Sequence, residues 1–419
     1  MNVLVIGSGG REHAICHAVA RSPRLERLFV LPGNAGTAAL GVNIPGDPND
    51  IAFALEVARR ENIDLTIVGP EDPLAAGIVD AFENERRRIF GPTAAAARIE
   101  ADKAFCKKLL RRHAVPTAEA RVFSDYESAK SYISTRDEAL VVKAAGLAKG
   151  KGVLMCRDPA QALIAAEKVL VERVFGDAGE NIIVEEQLVG REVSVLAIVD
   201  GRTLYVLEPA QDHKRLLDHD EGPNTGGMGA FSPSNTIDEA TMAEIEEHIL
   251  VPTVDALLRQ KIPYRGVLYA GLMLTHGGPK VLEYNCRFGD PETQVILPRL
   301  KTDFLDLIDA TLDGKLSDVR LEWDERHALC VVMASRGYPE SYPTGCEISG
   351  LPDRAGASDD TFVFHAGTKR DGGRVVTSGG RVLGVTALGA SRDAARRKAY
   401  ETVERIHFDG AQFRRDLGT

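Results

Sequence analysis

Short apolar runs alternate with amphipathic stretches near the start of the chain. Three continuous apolar runs predict buried parallel strands: residues 2–6, 28–31 and 65–68. Residues 14–20 look helical, and the pattern over residues 50–62 places its apolar side chains on one helical face. Strands that alternate with helices predict an open parallel sheet, whose ligands bind beyond the carboxyl ends of the strands. The turns at Gly7, Gly33 and Gly69 lie at such ends and are expected to converge on one site.

The later part of the chain shows patterns typical of both helices and hairpins. A long helix is predicted over residues 93–113, and an amphipathic helix over residues 240–260. The strands predicted at residues 267–275 and 280–285 form a hairpin. The other predicted elements are strands at residues 139–143, 153–155, 181–188, 190–196, 204–209, 328–334, 361–365 and 382–387, and a helix at residues 391–406. The predicted fold class is α/β in the broad sense, an α+β multidomain protein.

A glycine-rich turn, Gly7-Ser-Gly-Gly-Arg-Glu-His13, follows the first strand. A strand, a glycine turn and a helix direct backbone N–H groups at an anion. The turn departs from the dinucleotide-binding motif, because Glu12 replaces the third glycine and no acid ends the second strand to hold a ribose. We therefore predict a phosphate or phosphosugar at Gly9 and Gly10, with Arg11 nearby. A tight turn without a ligand is the alternative.

Two lysines precede a glycine-rich hairpin tip in the middle of the chain. Lys103 lies in the predicted helix, and Lys143 ends the strand before the tip. The tip contains Gly150, Lys151 and Gly152, and glycine lets backbone amides approach phosphates closely. The GxxxxGK[ST] pattern of a Walker A loop is absent. We predict a lid that closes over a nucleotide; a mobile surface hairpin is the alternative.

An apolar strand that ends in carboxylates comes next. Glu185 and Glu186 lie near the end of the strand at residues 181–188, and Glu192 lies in the strand that follows. An apolar wall followed by acids suits an adenine ring and then the hydroxyl groups of its ribose. An ion pair of Glu192 at the rim of the site is the alternative.

Residues 281–294 carry a dense set of charged side chains. Glu283 and Asn285 share one face of a strand, because side chains on a strand alternate. Their hard oxygen donors suit Mg²⁺, which takes one or two protein ligands together with phosphate oxygens and water. If the strand continues, Arg287 is the next residue on that face, and it suits a phosphoryl group or a carboxylate. Asp290 follows in a turn; an exposed strand end with ordinary surface charges is the alternative.

Two polar loops precede this stretch. Residues 211–215 include Asp212 and Lys214, and residues 221–229 contain four glycines and one proline. Such a composition argues against a helix or a central strand. Dense charge beside a mobile glycine loop suggests substrate contacts, and a disordered surface loop is the alternative.

Composition narrows the class of function. The chain has 419 residues, 51 Lys and Arg against 61 Asp and Glu, a net charge of −10 and six cysteines without CxxC spacing. At roughly 150 residues per domain, about three domains are expected. The negative charge disfavours nucleic-acid binding, which needs a basic face. Scattered thiols, no evident signal peptide and no apolar run of about 18 residues predict a cytoplasmic protein with no membrane partner.

The whole set of motifs resembles the ATP-grasp ligases, and more closely the phosphoribosylamine–glycine ligase family of purine biosynthesis. The resemblance is carried by residues 7–13, 211–215, 222–229 and 285–294. It implies an ATP-grasp fold with four parts. These are an N-terminal parallel α/β domain (residues 1–100), a lid region (101–193, its mobile lid at 120–190), a central catalytic domain (194–325) and a small mixed C-terminal domain (326–419).

The resemblance also implies reactants and roles. ATP and Mg²⁺ or Mn²⁺ are the expected cofactors, with glycine and 5-phosphoribosylamine as substrates. The expected catalytic residues are Arg287, Lys143, Asp212 and Asp290, and the expected metal ligands are Glu283 and Asn285. The expected ATP-binding residues are Lys103, Lys143, Gly150, Lys151, Gly152, Glu185, Glu186, Leu188 and Glu192. The expected substrate-binding residues are Gly9, Gly10, Arg11, Glu12, Asn34, Lys214, Arg287 and Asp290.

The implied route phosphorylates the carboxylate of glycine with ATP, and the amine of phosphoribosylamine then displaces phosphate. Many ATP-grasp enzymes carry another acid on the strand before the metal ligands, whereas residues 269–273 contain none. A second metal ion would therefore share Glu283 or use substrate and water oxygens. The competing functions are a carboxylating or formyl-transferring ATP-grasp enzyme, a nucleotide sensor and a dehydrogenase. A monomer with transient contacts to neighbouring purine enzymes is expected.

Overall fold

The computed structural model describes residues 1–148, 151–234, 236–352 and 360–419. Four main sheets organise these residues, and we name them the N-terminal, lid, central and C-terminal sheets. The N-terminal sheet is parallel and the other three are antiparallel. The predicted combination of a parallel α/β part with mixed parts is therefore confirmed. Within the described ranges, no helix combines the length and apolar character needed to cross a membrane.

The N-terminal sheet contains the three apolar runs predicted as strands. In spatial order its strands are Val42–Asn43, Arg27–Pro32, Asn2–Gly7, Leu65–Val68 and Ile89–Phe90. The helices around it are Gly10–Ala20, Thr37–Ala39 (3-10), Ile51–Arg60, Glu71–Ala75 and Ile78–Asn84. The first helix begins four residues earlier than the sequence pattern indicated. The reason is local, because Gly9 caps the helix and the Glu12 carboxylate accepts the Gly9 N–H at 2.5 Å.

The long helix predicted over residues 93–113 is two helices, so that prediction was wrong. The helices are Ala94–Ala101 and Lys103–Arg112. Asp102 separates them with a non-helical backbone (φ −133°, ψ 89°), and its side chain accepts the Phe105 N–H at 2.9 Å. Asp is a favoured N-cap residue. The break therefore starts a second helix at Lys103, with that residue at the helix N-terminus.

The lid sheet has a hydrophobic core of its own. Its strands in spatial order are Ala120–Phe123, Ile182–Glu186, Leu140–Ala144 and Val153–Cys156. Its helices are Tyr126–Ile133, Pro159–Leu170 and the 3-10 turn Gly176–Gly179. The apolar faces of the two longer helices pack on one face of the sheet. A core that shares few side chains with the rest is what a separately moving lid needs.

The central sheet carries the predicted metal strand at its edge. Its strands in spatial order are Leu204–Val206, Arg191–Asp200, Arg265–Thr275 and Gly278–Asn285. The associated helices are Glu239–Ile245, the π-helical turn Glu246–Leu250, Val251–Arg259, Thr293–Ile296, Leu297–Arg299 (3-10), Phe304–Leu312 and Leu316–Asp318 (3-10). The π turn comes just before Pro252, whose ring cannot fit a regular α-helical turn. The predicted boundary at residues 193/194 falls inside the strand Arg191–Asp200, and the four-part division stays a prediction.

The C-terminal sheet recruits strands from the middle of the chain. Its strands in spatial order are Gln211–Asp212, Gly229–Ser232, His327–Ala334, Arg381–Gly389 and Thr361–His365, and the helix Arg392–Val403 packs on it. Two hairpins flank it, Arg215–Leu217 with Glu221–Asn224 and Thr368–Asp371 with Arg374–Thr377. The expectation that residues 221–229 avoid an inner strand was wrong at Gly229. A Cβ there would lie 2.6 Å from the Cys330 carbonyl, so glycine is what permits the pairing.

Two apolar cores join these parts. One joins the N-terminal sheet to one face of the central sheet, and the other joins the N-terminal, central and C-terminal sheets. The carboxyl ends of the N-terminal strands, the end of the metal strand and the loops of the C-terminal sheet therefore face one another across a cleft.

Candidate active site

One cavity of about 880 Å³ lies in this cleft. Each of the four sheet regions contributes residues to its wall, including Gly9, Lys151, Glu283 and Arg381. A cavity of this size fits a nucleotide together with a second small molecule. The candidate chemistry of the sequence is therefore gathered in one place.

The two predicted metal ligands share one face of their strand and line the cavity. Glu283 lies opposite Gly271 and Asn285 lies opposite Tyr269 on the neighbouring strand. Gly271 presents no side chain there, which leaves room beside the carboxylate. Within the described residues, no group of three or more acidic, histidine or cysteine side chains could hold a metal alone. The donor set fits Mg²⁺ that takes its remaining ligands from phosphate and water.

Two predicted phosphate-binding lysines face each other beside the metal strand. Lys103 Nζ donates to the Gly146 carbonyl at 3.0 Å, and Lys143 pairs with the buried carboxylate of Glu185. Burial lowers the pKa of Lys103, opposed by Glu283 and assisted by Lys143. The Lys143 ammonium also lies 3.4 Å from the Leu282 carbonyl of the metal strand. Both lysines line the cavity.

Lys107 is a third lysine of this group, and the sequence reasoning missed it. Its ammonium pairs with Glu185 at 2.7 Å and donates to the Thr117 hydroxyl at 2.7 Å. Burial raises the pKa of Glu185, but Lys143 and Lys107 outweigh it and lower that pKa overall. The available signal was helical spacing, since Lys107 lies four residues after Lys103 on the same helical face.

The described part of the lid tip shares the cavity with the lysines. Lys151 and Gly152 line the cavity, and the Gly152 carbonyl accepts the Ala144 N–H at 2.8 Å. A Cβ at Gly152 would lie 2.7 Å from the Cβ of Ala148, so the tip needs glycine there. Gly150 lies outside the described residues.

The predicted adenine and ribose residues lie beside the cavity rather than on its wall. Glu186 pairs with Lys280 at 3.2 Å, and Glu192 pairs with Lys214 at 3.1 Å. Leu188 is half-buried in the connection between the lid and the central sheet. Glu185 faces the lysines, as described above. The roles of these residues in binding ATP stay predictions.

The three N-terminal glycine turns converge as expected, and Glu12 lies between them. Its Oε2 accepts the Gly9 N–H, and its Oε1 pairs with Arg11 Nε at 2.6 Å. A Cβ at Gly7 would lie 2.6 Å from Glu12 Cγ, and one at Gly69 would lie 2.1 Å from Glu12 Oε1. A buried carboxylate therefore fills the position that a dinucleotide pyrophosphate would need. Gly9, Arg11 and Glu12 line the cavity.

Gly10 and Asn34 have structural contacts instead. Gly10 is off the cavity wall, and a Cβ there would lie 2.6 Å from Gln294 Nε2. The Asn34 amide donates to the carbonyls of Ser8 and His365 at 2.8 and 2.7 Å. Its oxygen also accepts backbone N–H groups of the turn that follows. Asn34 therefore ties the first glycine turn to the C-terminal sheet while lining the cavity.

Arg287 lies beyond the end of the metal strand, so the strand does not continue far enough to place it on the same face as Glu283 and Asn285. The strand ends at Asn285, and the Arg287 guanidinium turns towards Glu71 (3.1 Å) and Glu100 (3.6 Å). It also donates to the Phe288 carbonyl at 3.1 Å. Burial opposes the charge of Arg287, but Glu100 and Glu71 raise its pKa overall. Arg287 lines the cavity with its charge held in place.

Asp290 is surrounded by donors. Its Oδ2 pairs with Arg381 at 3.3 Å and accepts the Arg11 N–H at 3.4 Å, while Oδ1 accepts Gln294 Nε2 at 2.7 Å. Burial raises the pKa of Asp290, but Arg381 and Arg11 lower it overall. The carboxylate therefore stays ionised with its acceptor sites occupied.

A second acidic group faces the cavity near Asp212. Glu292 accepts the Tyr269 hydroxyl at 2.5 Å, and that hydroxyl also lies 2.8 Å from Ser194 Oγ. Burial and the Asp212 carboxylate raise the pKa of Glu292 to about 7. Burial lowers the pKa of Lys214, but Asp212 and Glu192 raise it overall. Asp212, Lys214 and Glu292 all line the cavity.

The C-terminal region supplies a wall of the cavity, as expected for this domain, although the sequence assigned no residues to it. Its cavity-lining residues include Tyr338, Gly367, Thr368, Ser378, Gly379 and Arg381. A Cβ at Gly367 would lie 2.5 Å from Gly379 Cα, so two backbone turns meet closely there. The sequence signal was the Gly379–Gly380 pair. It indicates a turn, but it does not say which other turn lies against it.

Comparisons with known proteins agree with this geometry along the whole chain. Models of phosphoribosylglycinamide synthetase match residues 1–100 (N domain), 101–293 (ATP-grasp domain) and 328–419 (C domain). The phosphoribosylamine–glycine ligase of Rhodopirellula baltica is 51% identical over 99% of this chain and 97% of its own length. The trifunctional purine biosynthetic protein adenosine-3 of Gallus gallus is 50% identical over 99% of this chain but only 42% of its own length.

A solved structure supports the same relationship. The crystal structure of phosphoribosylamine–glycine ligase from Thermotoga maritima superposes with a TM-score of 0.88 at 35% identity, over 99% of this chain and all of that one. The resemblance carried by the four sequence motifs is confirmed. The chain belongs to the phosphoribosylamine–glycine ligase (phosphoribosylglycinamide synthetase) family of ATP-grasp enzymes.

Proposed function

We propose that this protein joins glycine to 5-phosphoribosylamine at the expense of ATP, through a glycyl phosphate, and releases ADP and phosphate. The observation that carries the proposal is the position of Glu283 and Asn285 in one cavity. The lysines near this pair are Lys103, Lys107 and Lys143. A network of arginines and carboxylates around Arg287 and Asp290 lines the same cavity. One cleft therefore offers a triphosphate site next to a site for charged small molecules.

The lysine side is the proposed site of the ATP phosphates. Lys103, Lys143 and Lys151 line the cavity together with Glu283 and supply positive charge from three segments of the chain. Mg²⁺ held by Glu283 and Asn285 would neutralise phosphate charge and orient the phosphates. The lysines can leave their protein partners for phosphate oxygens, since an ammonium group has no fixed bonding plane.

Asp212 and Glu292 are the proposed site of the glycine ammonium group. Asp290 is less suited to this role, because Arg381, Gln294 and the Arg11 amide occupy its oxygens. The cavity side of Asp212 and Glu292 faces no such set of donors in the contacts described above. An ammonium ion between the two carboxylates would also reverse the repulsion that raises the pKa of Glu292.

Two bond exchanges complete the proposed reaction. A carboxylate oxygen of glycine attacks the γ-phosphorus of ATP, the bond to the bridging oxygen breaks, and ADP leaves. The amine of phosphoribosylamine attacks the acyl carbon, the carbon–oxygen bond to phosphate breaks, and the nitrogen loses one proton. Lid closure would keep water from the acyl phosphate.

The sugar phosphate is proposed to lie near Arg11 and Gly9. The Gly9 and Arg11 amides already donate to carboxylates of Glu12 and Asp290, so they are poorly placed to bind a phosphate. The support for this position is the guanidinium charge of Arg11 and the adjoining turns of the C-terminal sheet. A reducing cytoplasm is part of the same proposal, supported by six free cysteines.

Phosphate release tests the proposed reaction. The protein is incubated with ATP, Mg²⁺, glycine and phosphoribosylamine formed in the assay from ribose 5-phosphate and ammonia. ADP and phosphate are expected in equal amounts, and only when all three substrates are present. Bicarbonate or formate in place of glycine is the control, and turnover with either would identify the rival ATP-grasp function. No turnover with any combination would contradict the proposal.

The intermediate has its own test. Hydroxylamine in place of phosphoribosylamine should trap glycyl phosphate as glycine hydroxamate, detected with ferric iron, in amounts that match the ADP. ADP formation without hydroxamate would contradict the acyl phosphate.

A further inference from the structure

Arg381 connects three segments of the active site. It is the first residue of the strand Arg381–Gly389 in the C-terminal sheet. Its Nη1 donates to the carbonyls of Gly226 (2.6 Å) and Asp290 (2.7 Å), with the Gly227 carbonyl at 3.4 Å. Its Nη2 pairs with Asp290 Oδ2 at 3.3 Å. One guanidinium group therefore holds the glycine loop and the turn after the metal strand together.

The glycine loop is also held from its other side. The Gly226 N–H donates to the Tyr338 hydroxyl at 2.9 Å, so both backbone groups of Gly226 bind residues of the C-terminal region. Gly227 has φ +109°, and a Cβ there would lie 2.5 Å from Pro291 Cδ. A glycine is therefore required for the loop to lie against the Asp290–Pro291 turn. Both segments therefore contribute to this contact, the glycine loop through Gly227 and the turn through Pro291.

The geometry suits arginine and no other residue. Carbonyl and carboxylate oxygens from separate segments converge on one planar fork, and the charge opposes the Asp290 carboxylate. A lysine ammonium could reach one or two of these oxygens but has no fixed fork. A neutral side chain would leave the Gly226 and Asp290 carbonyls without this donor and would remove the charge that faces the Asp290 carboxylate.

We propose that Arg381 is a positioning residue for the reaction, which sets the distance between the glycine loop and the turn that follows the metal ligands. It acts through Gly226, Gly227 and Asp290 and touches no reacting atom. The C-terminal region thereby completes a site whose metal and phosphate ligands lie elsewhere in the chain. This inference rests on the proposed ligase function. A misplacement of about 1 Å near reacting groups costs roughly 10²-fold in rate.

The test compares Arg381→Ala and Arg381→Lys with Arg374→Ala in the intact protein. Arg374 is the matched control, because it lies in the same region but is exposed and pairs with Glu347 on the surface. Both Arg381 variants are expected to lose about 10²-fold in kcat and to keep the KM for ATP within about twofold. Arg374→Ala should match the wild type. Millimolar guanidinium should restore part of the activity of Arg381→Ala alone.

Three results would overturn the inference. The first is wild-type kcat in Arg381→Ala. The second is recovery of full rate in Arg381→Lys. The third is a loss that equals the unfolded fraction measured by urea denaturation, without rescue by guanidinium. Failure of the proposed function would look different, since the wild-type protein and Arg374→Ala would then also form no ADP.

Discussion

The two halves of the cavity hold their charges in different ways. The half that is proposed to bind the nucleotide, named the nucleotide half, contains Lys103, Lys107 and Lys143, with Glu185 beside the cavity wall. The other half, which is proposed to bind phosphoribosylamine and is named the acceptor half, contains Arg11, Arg287, Arg381, Glu71, Glu100 and Asp290. In the nucleotide half, Lys107 and Lys143 share one buried carboxylate, and Lys103 donates to a backbone carbonyl. In the acceptor half, each guanidinium pairs with an acid and also binds backbone carbonyls.

This difference separates exchangeable charge from fixed charge. An ammonium group can turn from Glu185 to a phosphate oxygen without breaking a planar arrangement. A guanidinium bound to a carboxylate and a carbonyl cannot move without losing both contacts. The nucleotide half is therefore suited to a ligand that arrives and leaves with each turnover, and the acceptor half to a preformed framework. Substitutions in the two halves should therefore differ in their effects on nucleotide binding and on stability.

The largest effect is expected at the boundary between the halves. Glu283→Gln should lower Mg²⁺-dependent ADP formation by about 10³-fold, because charge stabilisation at phosphate is lost. Thermal unfolding should stay unchanged, since Glu283 is only half-buried. Glu247→Gln on the exposed helix surface is the control. Turnover at the wild-type level in Glu283→Gln would remove the metal assignment.

A fixed arginine should affect both rate and stability. Arg287→Met should lower kcat about 10²-fold and the free energy of unfolding by about 3 kcal/mol, because it leaves Glu100 and Glu71 without their partner. Urea denaturation and initial rates measure the two effects. The exposed pair of Arg259 and Asp255 provides the control, and Arg259→Met should cost less than about 1 kcal/mol. Equal losses in the two variants would contradict the distinction.

An exchangeable lysine should affect nucleotide binding alone. In Lys107→Met, Lys143 becomes the only lysine paired with Glu185. The stronger pairing should hold Lys143 away from phosphate and raise the KM for ATP about 10-fold. The KM for glycine should change little. Lys108→Met is the matched control on the next, exposed position of the same helix. If Lys107→Met lowered the free energy of unfolding by more than the free energy that corresponds to its change in the KM for ATP, Lys107 would belong with the fixed charges.

The smallest effect on activity is expected at Glu292. Its pKa of about 7 means that roughly half of these carboxyl groups are already protonated at pH 7, so the rise in the KM for glycine in Glu292→Gln should reach only about half of its full size there. The change should grow at pH 8. An effect on the KM for ATP instead would contradict the proposed ammonium site.

The same residue has a stability signature with a defined sign. Because the folded pKa of Glu292 is raised above its unfolded value, its contribution is present below about pH 4.5 and is lost as pH rises through about 7. The difference in unfolding free energy between the wild type and Glu292→Gln should therefore fall over this range. A difference that rises with pH would contradict the burial argument.

Local patterns predicted much of this molecule. Apolar runs located the N-terminal strands, and strand alternation placed Glu283 and Asn285 on one face. The helix break at Asp102 was missed because a single N-cap residue inside a helical pattern resembles a surface position. Gly229 was misjudged because a glycine-rich segment joined a sheet formed mainly by strands more than 90 residues away.

The amino-acid sequence by itself determined the family, the order of elements and the residues that can carry charge, because these depend on neighbours along the chain. Only the tertiary structure decided which charges are free. The sequence predicted Asp290 and Arg287 as ligand-binding residues. In the fold, Asp290 pairs with Arg381, and Arg287 pairs with Glu71. Ion pairs between residues 91 and 216 positions apart depend on packing, which no local pattern records.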